Sequence, residues 1–140
     1  MAANPRRQDL PHGAFCSTEE AVRLFVSGKR KVLVLSYGWH SVQDPDPTGY
    51  TDTAVRHYLS TLGEAARELV LFCDFACLPQ PPRTEEEQAI FERGLPAMSS
   101  LYASIAGTCV IEQKHVPPMP NEYRGKVVCF PPDVSEKRRR

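Results

Sequence analysis

The stretch "KVLVLSYGW", residues 31–39, decides the fold because it is a continuous apolar, β-branched run with little polar alternation. Such a run is typical of a parallel strand that is covered by helices on both faces. A second run, "ELVLFCDFACLPQ" at residues 68–80, begins in the same way and is also predicted to be a buried strand. Both runs end in polar or aromatic residues that a buried strand does not need. These ends are therefore candidate functional sites.

A helix is predicted on each side of the first strand. The earlier helix lies in "CSTEEAVRLFVSGKRK", where Ser17 can act as the N-cap and Glu20 as the second half of a capping box. The later helix covers residues 50–62, because its apolar residues fall on one side of a helix. Either Thr51 or Thr53 is available to cap it.

A third helix is predicted after the second strand. The segment "PQPPR" interrupts the chain, and Thr84 with Glu87 forms a capping-box signature that opens the helix "TEEEQAIFER". Gly94 and Pro96 are expected to end or kink this helix, and "AMSSLYASIAG" then continues helically.

The alternation of helices and strands predicts the α/β class. Two more strand candidates, "TCVIEQ" at 108–113 and "KVVCF" at 126–130, follow the third helix. Right-handed crossovers then give a three-layer, mainly parallel sheet of about four to five strands. We expect residues 1–16 to be an N-terminal extension, residues 17–130 to form a single domain, and residues 131–140 to be a flexible basic tail.

Composition excludes several classes of partner. Lys plus Arg equals Asp plus Glu at 17 each, so charge gives no reason to expect binding to nucleic acid or to an acidic membrane surface. No apolar stretch approaches the roughly 20 residues of a membrane span, and the N-terminus lacks the apolar core of a secretory signal. We therefore expect a cytoplasmic protein without a membrane partner. The five cysteines are expected to be reduced thiols, since their number is odd and most lie in apolar runs.

The carboxyl ends of the first two strands form the predicted site. In open parallel sheets, ligands bind outside the carboxyl ends of the strands, near a point where the strand order reverses. The end of the first strand supplies a hydroxyl, two aromatic rings and an imidazole from Ser36, Tyr37, Trp39 and His40. These rings either cover the core or form a wall on which a base or a nicotinamide ring stacks, with Ser36 binding sugar or phosphate.

Asp74 is the candidate carboxylate, because it lies in the middle of the second apolar run. An ionised carboxylate that is buried without partners costs several kcal/mol, so it should pair with a cation or reach a cleft. Arg83 and Arg56 are the available cations. In a cleft, Gln80, Arg83 and the acidic run that ends at Glu87 would lie at the same edge.

We predict no metal site. Cys73 and Cys77 are four residues apart, and in a strand this spacing separates them by about 13 Å, too far for one zinc ion. A nucleophilic pair of Cys77 with His40 has no supporting local signature, and no glycine-rich phosphate loop is present in the sequence.

Three motifs, "LSYGW", "DFACLPQ" and "MSSLYASIAGTCVI", in this order resemble the heterokaryon-incompatibility (HET) domain family. The resemblance covers roughly Lys31 to Glu112 and depends on order and spacing rather than on one motif. The matching residues are Ser36, Tyr37, Trp39, Asp74, Cys77, Gln80, Met98, Tyr102 and Ala106.

The chain departs from the family pattern at several positions. Gly38 stands where the family tends to have cysteine, and His40 replaces a glycine. The helix after Gln80 does not align cleanly, so the acidic position of the family falls on Glu87 or Glu92. The chain also ends early, and we expect a truncated fold with an unpaired sheet edge.

HET domains are similar to Toll/interleukin-1-receptor (TIR) domains, which have a flavodoxin-like sheet and serve in self/non-self recognition and cell-death signalling. The resemblance therefore implies a HET/TIR-like domain that signals through self-association or through a protein partner. Some TIR relatives cleave the nicotinamide glycosidic bond of NAD with a glutamate, which makes an NAD glycohydrolase the first alternative.

In that alternative NAD is the substrate, and the catalytic carboxylate is Glu87 or Asp74. The ligand-binding residues would be Ser36, Tyr37, Trp39, His40, Cys77, Gln80 and Arg83. A second alternative is a nucleotide-binding domain without catalysis.

Overall fold

The computed structural model describes residues 5–41, 44–104, 107–118 and 121. The strand candidate "KVVCF", the basic tail and the motif residue Ala106 lie outside the described residues. The elements in chain order are α1 (Thr18–Val26), β1 (Val32–Tyr37), α2 (Tyr50–Thr61), β2 (Val70–Phe72), the helical turn α3 (Asp74–Cys77), α4 (Glu85–Ala103) and β3 (Thr108–Gln113). Short 3-10 turns lie at Arg7–Asp9, His12–Ala14 and Gly63–Glu68.

The three strands of the described residues form one open parallel sheet in the order β2-β1-β3. Val32 of β1 is in register with Val70 of β2 on one side and with Thr108 of β3 on the other. The α/β class is therefore confirmed, whereas the described part of the sheet has three strands and not four to five. The chain crosses from β1 to β2 in one direction and from β2 to β3 in the other. The strand order thus reverses between β1 and β3.

Strand β1 is buried on both faces, which explains its continuous apolar sequence. Val32 and Val34 pack with Leu24 of α1 on one face, where Leu101 of α4 also contacts them. Leu35 packs on the other face in a cluster that includes residues of α2 and α3. Alternate side chains of one strand therefore enter two separate cores.

The N-terminal caps of α1 and α4 agree in part with those predicted from the sequence. The Ser17 hydroxyl accepts a hydrogen bond from the Glu20 backbone N–H at 3.1 Å, which confirms Ser17 as the N-cap of α1. The Glu20 carboxylate faces Arg23 at 3.7 Å. At the start of α4 the complete capping box is present, since Thr84 and Glu87 exchange hydrogen bonds of 3.2 and 2.9 Å.

Helix α4 is one uninterrupted element that contains both Gly94 and Pro96. The helix does not end at either residue, contrary to one of the two outcomes expected from the sequence. A Cβ atom on Gly94 would stand 2.5 Å from Cδ2 of buried Leu78, so the glycine allows that side chain to approach the helix. None of the described helices combines the length and apolarity needed to cross a membrane.

The second strand is much shorter than the sequence predicted. It ends at Phe72, and the chain turns through Cys73 into α3. Asp74 is therefore the first residue of a helical turn, where its Oδ1 accepts a hydrogen bond from the Phe75 backbone N–H at 2.8 Å. A carboxylate is well placed at this end of a helical turn, because the first N–H groups have no partner within it.

The start of α2 corrects the prediction that Thr51 or Thr53 caps it. Helix α2 follows Gly49, which has a left-handed φ of 67° and no side chain to act as a cap. The carboxylate of Asp46, only 1% exposed, accepts the Asp52 backbone N–H at 2.9 Å instead. The Thr53 hydroxyl donates to the Gly49 carbonyl and so supplies no acceptor to the helix end.

The variant Asp46→Ala should lower the free energy of unfolding by about 2 kcal/mol, because it removes the acceptor of a helix end and leaves a small cavity. Thr53→Ala is the matched control at a cap predicted from the sequence, and should cost less than about 0.5 kcal/mol. Urea unfolding followed by circular dichroism measures both. Equal effects of the two variants would contradict the assignment of Asp46 as the cap.

Candidate functional site

The ends of β1 and β2 bring Trp39 and Asp74 together. The Trp39 ring packs edge-on against Phe75, with ring centroids 5.5 Å apart and planes at 85°. The Trp39 indole also lies beside the Asp74 carboxylate, where it favours the ionised form. Both side chains are half-buried, so they form a rim between the core and solvent.

Asp74 lies in an environment that disfavours its ionised form. Burial raises the pKa of Asp74, and the backbone N–H of Phe75 and the neighbouring Trp39 indole only partly oppose this rise. The expected cation partners are engaged elsewhere: Arg56 pairs with Asp52 at 2.7 Å, and Arg83 donates to the Pro79 carbonyl at 2.6 Å. The structural ion pair considered for Asp74 is therefore wrong for the described residues.

Two phenols and a thiol complete what we call the Asp74 cluster, formed by Tyr37, Trp39, Cys73, Asp74 and Tyr102. The Tyr102 hydroxyl donates to the Leu35 carbonyl at 2.9 Å. Burial, with smaller contributions from Asp74 and Cys73, raises the pKa of Tyr102 to about 12. The Tyr37 hydroxyl lies 3.8 Å from the Cys73 sulfur, and burial also raises the pKa of that thiol.

Tyr102 and Cys73 were absent from the predicted site. The sequence indicates Tyr102 only as a member of the "MSSLY" motif. It indicates Cys73 only as one of two cysteines whose spacing does not suit a zinc ion. Helix α4 carries Tyr102 to the Leu35 carbonyl, a contact between residues 67 positions apart. Local sequence gives no signal for such a contact.

Gln80 is a buried structural residue rather than an open ligand-binding group. Its side-chain amide donates to the Leu78 carbonyl at 2.9 Å, and only 5% of Gln80 is exposed. The side chain of Gln8 holds the Gln80 backbone through two hydrogen bonds, of 2.6 and 3.1 Å. The 3-10 turn that contains Gln8 is thereby fixed to the loop after α3.

Arg83 and Glu87 make their contacts around the start of α4. The Arg83 guanidinium stacks 3.6 Å from the centroid of the Phe91 ring, and Glu87 closes the capping box with Thr84. None of the hydrogen bonds or ring contacts of these two side chains in the described residues joins the Asp74 cluster. The cleft expected from two carboxylates and a guanidinium is not assembled, and the catalytic role of Glu87 stays a prediction.

The remaining residues at the end of β1 lie under a segment of the chain itself. The Nε2 atom of His40 is 2.7 Å from the Pro117 carbonyl oxygen. A Cβ atom on Gly38 would be 2.8 Å from Cγ2 of Val116, so a cysteine at this position would require Val116 to move. Residues 116–117 thus cover the carboxyl end of β1, beside the point where the strand order reverses. Ser36 is half-buried and follows Val34 in the strand alternation.

Cys77 belongs to a different surface from the Asp74 cluster. It lines a cavity of about 420 Å³ between α1, β2 and α4, which we call the apolar groove. Val22, Phe25, Phe72, Ala97 and Leu101 contribute to its walls, and no charged side chain of the described residues lines it. Burial raises the pKa of the Cys77 thiol, and the Arg7 guanidinium donates to the Cys77 carbonyl at 3.0 Å.

A smaller cavity of about 120 Å³ lies beside the Asp74 cluster and is lined by Tyr37, Cys73 and the capping residue Asp46, among others. Within the part of the chain that the structure describes, no three side chains of the His, Cys, Asp or Glu type lie close enough to hold a metal ion.

Comparison with known proteins does not extend this picture. No protein-family model matches the sequence, and neither a curated protein nor a solved structure is significantly similar to the chain. Functional inference therefore depends on the site itself.

The raised pKa of Asp74 predicts a pH-dependent stability. As the pH rises, the unfolded chain releases this proton first, so deprotonation favours unfolding until the pH has passed the raised folded-state value. The free energy of unfolding of the wild type should therefore fall relative to Asp74→Asn between about pH 4 and about pH 7. Urea titrations at both pH values measure this difference.

Asp9→Asn is the control with the opposite sign. The hydrogen bond from Arg6 lowers the pKa of Asp9, so the wild type should gain stability relative to this variant as the pH rises. If Asp74→Asn showed the same pH dependence as Asp9→Asn, the burial of the Asp74 carboxylate would be wrongly assigned.

Proposed function

We propose that the chain is a HET/TIR-like signalling or recognition module that acts through protein interaction in the cytoplasm. The observation that carries this proposal is the apolar groove, whose lining contains no charged side chain among the described residues. Exposed apolar surface of this kind is unfavourable in water and marks interaction sites.

The walls of the groove continue into exposed apolar side chains. Val22 lines the groove and remains 55% exposed, and Val26, one helical turn further along α1, is 72% exposed. Burying such surface is worth about 25 cal/mol per Å², so a partner that covers it gains affinity without needing a charge match. This fits a chain whose formal charges balance.

The strand order supports the flavodoxin-like part of the proposal. The order β2-β1-β3 is that of the first three strands of a flavodoxin-like sheet. In that fold further parallel strands continue beyond β3, which would give the four to five strands expected from the sequence. We propose that the complete sheet has these four to five strands.

The sheet edge at the carboxyl ends of the strands is largely closed, and this favours protein interaction over catalysis. The cavity beside the Asp74 cluster, at about 120 Å³, is below the roughly 300 Å³ at which small-molecule sites begin. Val116 and Pro117 cover the end of β1, and Glu87 is engaged in a helix cap. The apolar groove, by contrast, is open.

The wild-type protein should associate reversibly, with a weight-average mass that rises with concentration in multi-angle light scattering. Ala97→Glu places a charge on the wall of the groove, and should weaken association at least about 10-fold because the charge must be desolvated. Ala89→Glu is the matched control, an exposed alanine of the same helix outside the groove lining. A protein that stays monomeric at every concentration would contradict the proposal in its self-associating form.

A second candidate, an NAD glycohydrolase, is favoured by one specific observation. Asp74 is a half-buried carboxylate that forms no ion pair with a described residue and lies against the Trp39 indole. Cleavage of the nicotinamide–ribose C–N bond passes through an oxocarbenium-like state that an ionised carboxylate stabilises. Trp39 would hold the leaving nicotinamide ring, and Glu87 would keep its capping role.

If this candidate is correct, pure protein should release nicotinamide from NAD, and Asp74→Asn should lower the rate at least about 100-fold. Glu87→Gln should leave the rate within about twofold, since the capping box keeps this side chain at the start of α4. Chromatographic detection of nicotinamide measures the rate, and circular dichroism checks the fold of each variant. NAD that raises the melting temperature without being cleaved would support the nucleotide-binding alternative instead.

A further inference from the structure

We infer that the partner of this module is a second copy of the same chain, joined through strand β2 as an antiparallel two-fold pair centred on Leu71. This inference rests on the proposed function, because it names the partner of the surface that includes the apolar groove. It also adds a feature that the groove alone does not require, a continuous sheet across two copies.

The backbone N–H and C=O groups of strand β2 point in alternating directions, toward β1 or away from the sheet. Strand β2 is at one edge of the described sheet and pairs only with β1. The Val70 backbone N–H donates to the Lys31 carbonyl at 3.0 Å, so Val70 faces β1. Since successive residues of a strand direct their backbone groups to opposite sides, both the N–H and the C=O of Leu71 face away from the sheet.

This orientation makes the edge complementary to itself. In an antiparallel pair, two directly opposite residues that both face inward exchange two N–H···O=C hydrogen bonds. A two-fold axis at this point relates Leu71 of one copy to Leu71 of the other, which is the geometry of an isologous dimer. Strand β2 has three residues, so one such pair of hydrogen bonds is available and the dimer is expected to be weak.

The surroundings of Leu71 are suited to a like partner. Leu71 lines both the 420 Å³ groove and the 120 Å³ cavity, and it remains 38% exposed. Leu71 is uncharged, and no charged side chain of the described residues lines the groove. The formal net charge of the chain is zero. Two copies therefore approach without long-range repulsion.

One contact at the edge must be replaced on pairing. The Cys77 thiol lies 3.9 Å from the Leu71 carbonyl oxygen, on the outer side of β2. A thiol is a weak hydrogen-bond donor, so the backbone N–H of a second copy is a better partner for this carbonyl. The exchange replaces a weak local contact with a pair of backbone hydrogen bonds.

Sedimentation equilibrium of the full chain tests the inference. The wild type should fit a monomer–dimer equilibrium, and Leu71→Lys should raise the dimer dissociation constant at least about 10-fold by placing a charge on the axis. Ile90→Lys is the matched control, because Ile90 and Leu71 are both 38% exposed and Ile90 is outside the groove lining. The control should leave the dissociation constant within about twofold.

Amide hydrogen exchange of the wild type supplies a second test that needs no variant. Exchange of the Leu71 amide should slow as the protein concentration is raised through the dissociation constant. The amides of Val70 and Phe72 face β1, so their exchange should not change with concentration. Concentration-independent exchange at Leu71 in a protein that does dimerise would overturn the inference.

The outcomes separate this inference from the proposed function. If the wild type associates and Ala97→Glu weakens association while Leu71→Lys does not, the interaction module stands and the β2 pair is wrong. Assemblies larger than a dimer would also overturn the closed two-fold pair. If the wild type does not associate at all, both the inference and the self-association on which it rests fail.

Discussion

The burial of strand β1 on both faces is the constraint on which the described structure depends. Val34 is completely buried, and its neighbours in the strand enter two different clusters. One strand can be covered in this way only if helices lie on both faces and a strand pairs on each side. The crossovers through α2 and α4 therefore proceed in opposite directions, and the strand order reverses between β1 and β3.

Because the strands are parallel, every strand end on one edge adds backbone groups and side chains to the same surface. The chain uses most of this edge for contacts with itself. Val116 and Pro117 cover the end of β1, and Gln8 holds the Gln80 backbone beyond α3. The Asp74 carboxylate and the neighbouring Trp39 indole remain half-exposed at this edge. The edge on which parallel α/β folds bind ligands is here largely closed by the chain itself.

The sequence predicted the elements that depend on local signals. The apolar run of β1 and the capping box at Thr84 required only neighbouring residues, and both are present. The end of β2 was missed because an apolar run such as "LFCDFACL" has no periodicity that separates a strand from a helical turn. Asp46 caps α2 from beyond Gly49, outside the usual capping window. The partner of Arg83 was also missed, because a sequence does not show which oppositely charged residues lie close together in space. The Arg83 guanidinium stacks on the Phe91 ring.

The turn at Cys73 links the candidate site to the proposed interaction edge. By ending β2 after three residues, the turn leaves Leu71 as the residue whose backbone faces outward, and it starts the helical turn that presents Asp74. Cys77 of the same turn reaches back to the Leu71 carbonyl. In the proposed dimer that contact is replaced, so pairing at β2 changes the packing of the element that carries Asp74. Association and the state of the Asp74 cluster are then coupled through one helical turn, and by linkage a ligand of the cluster that distinguishes monomer from dimer would shift the dimer equilibrium.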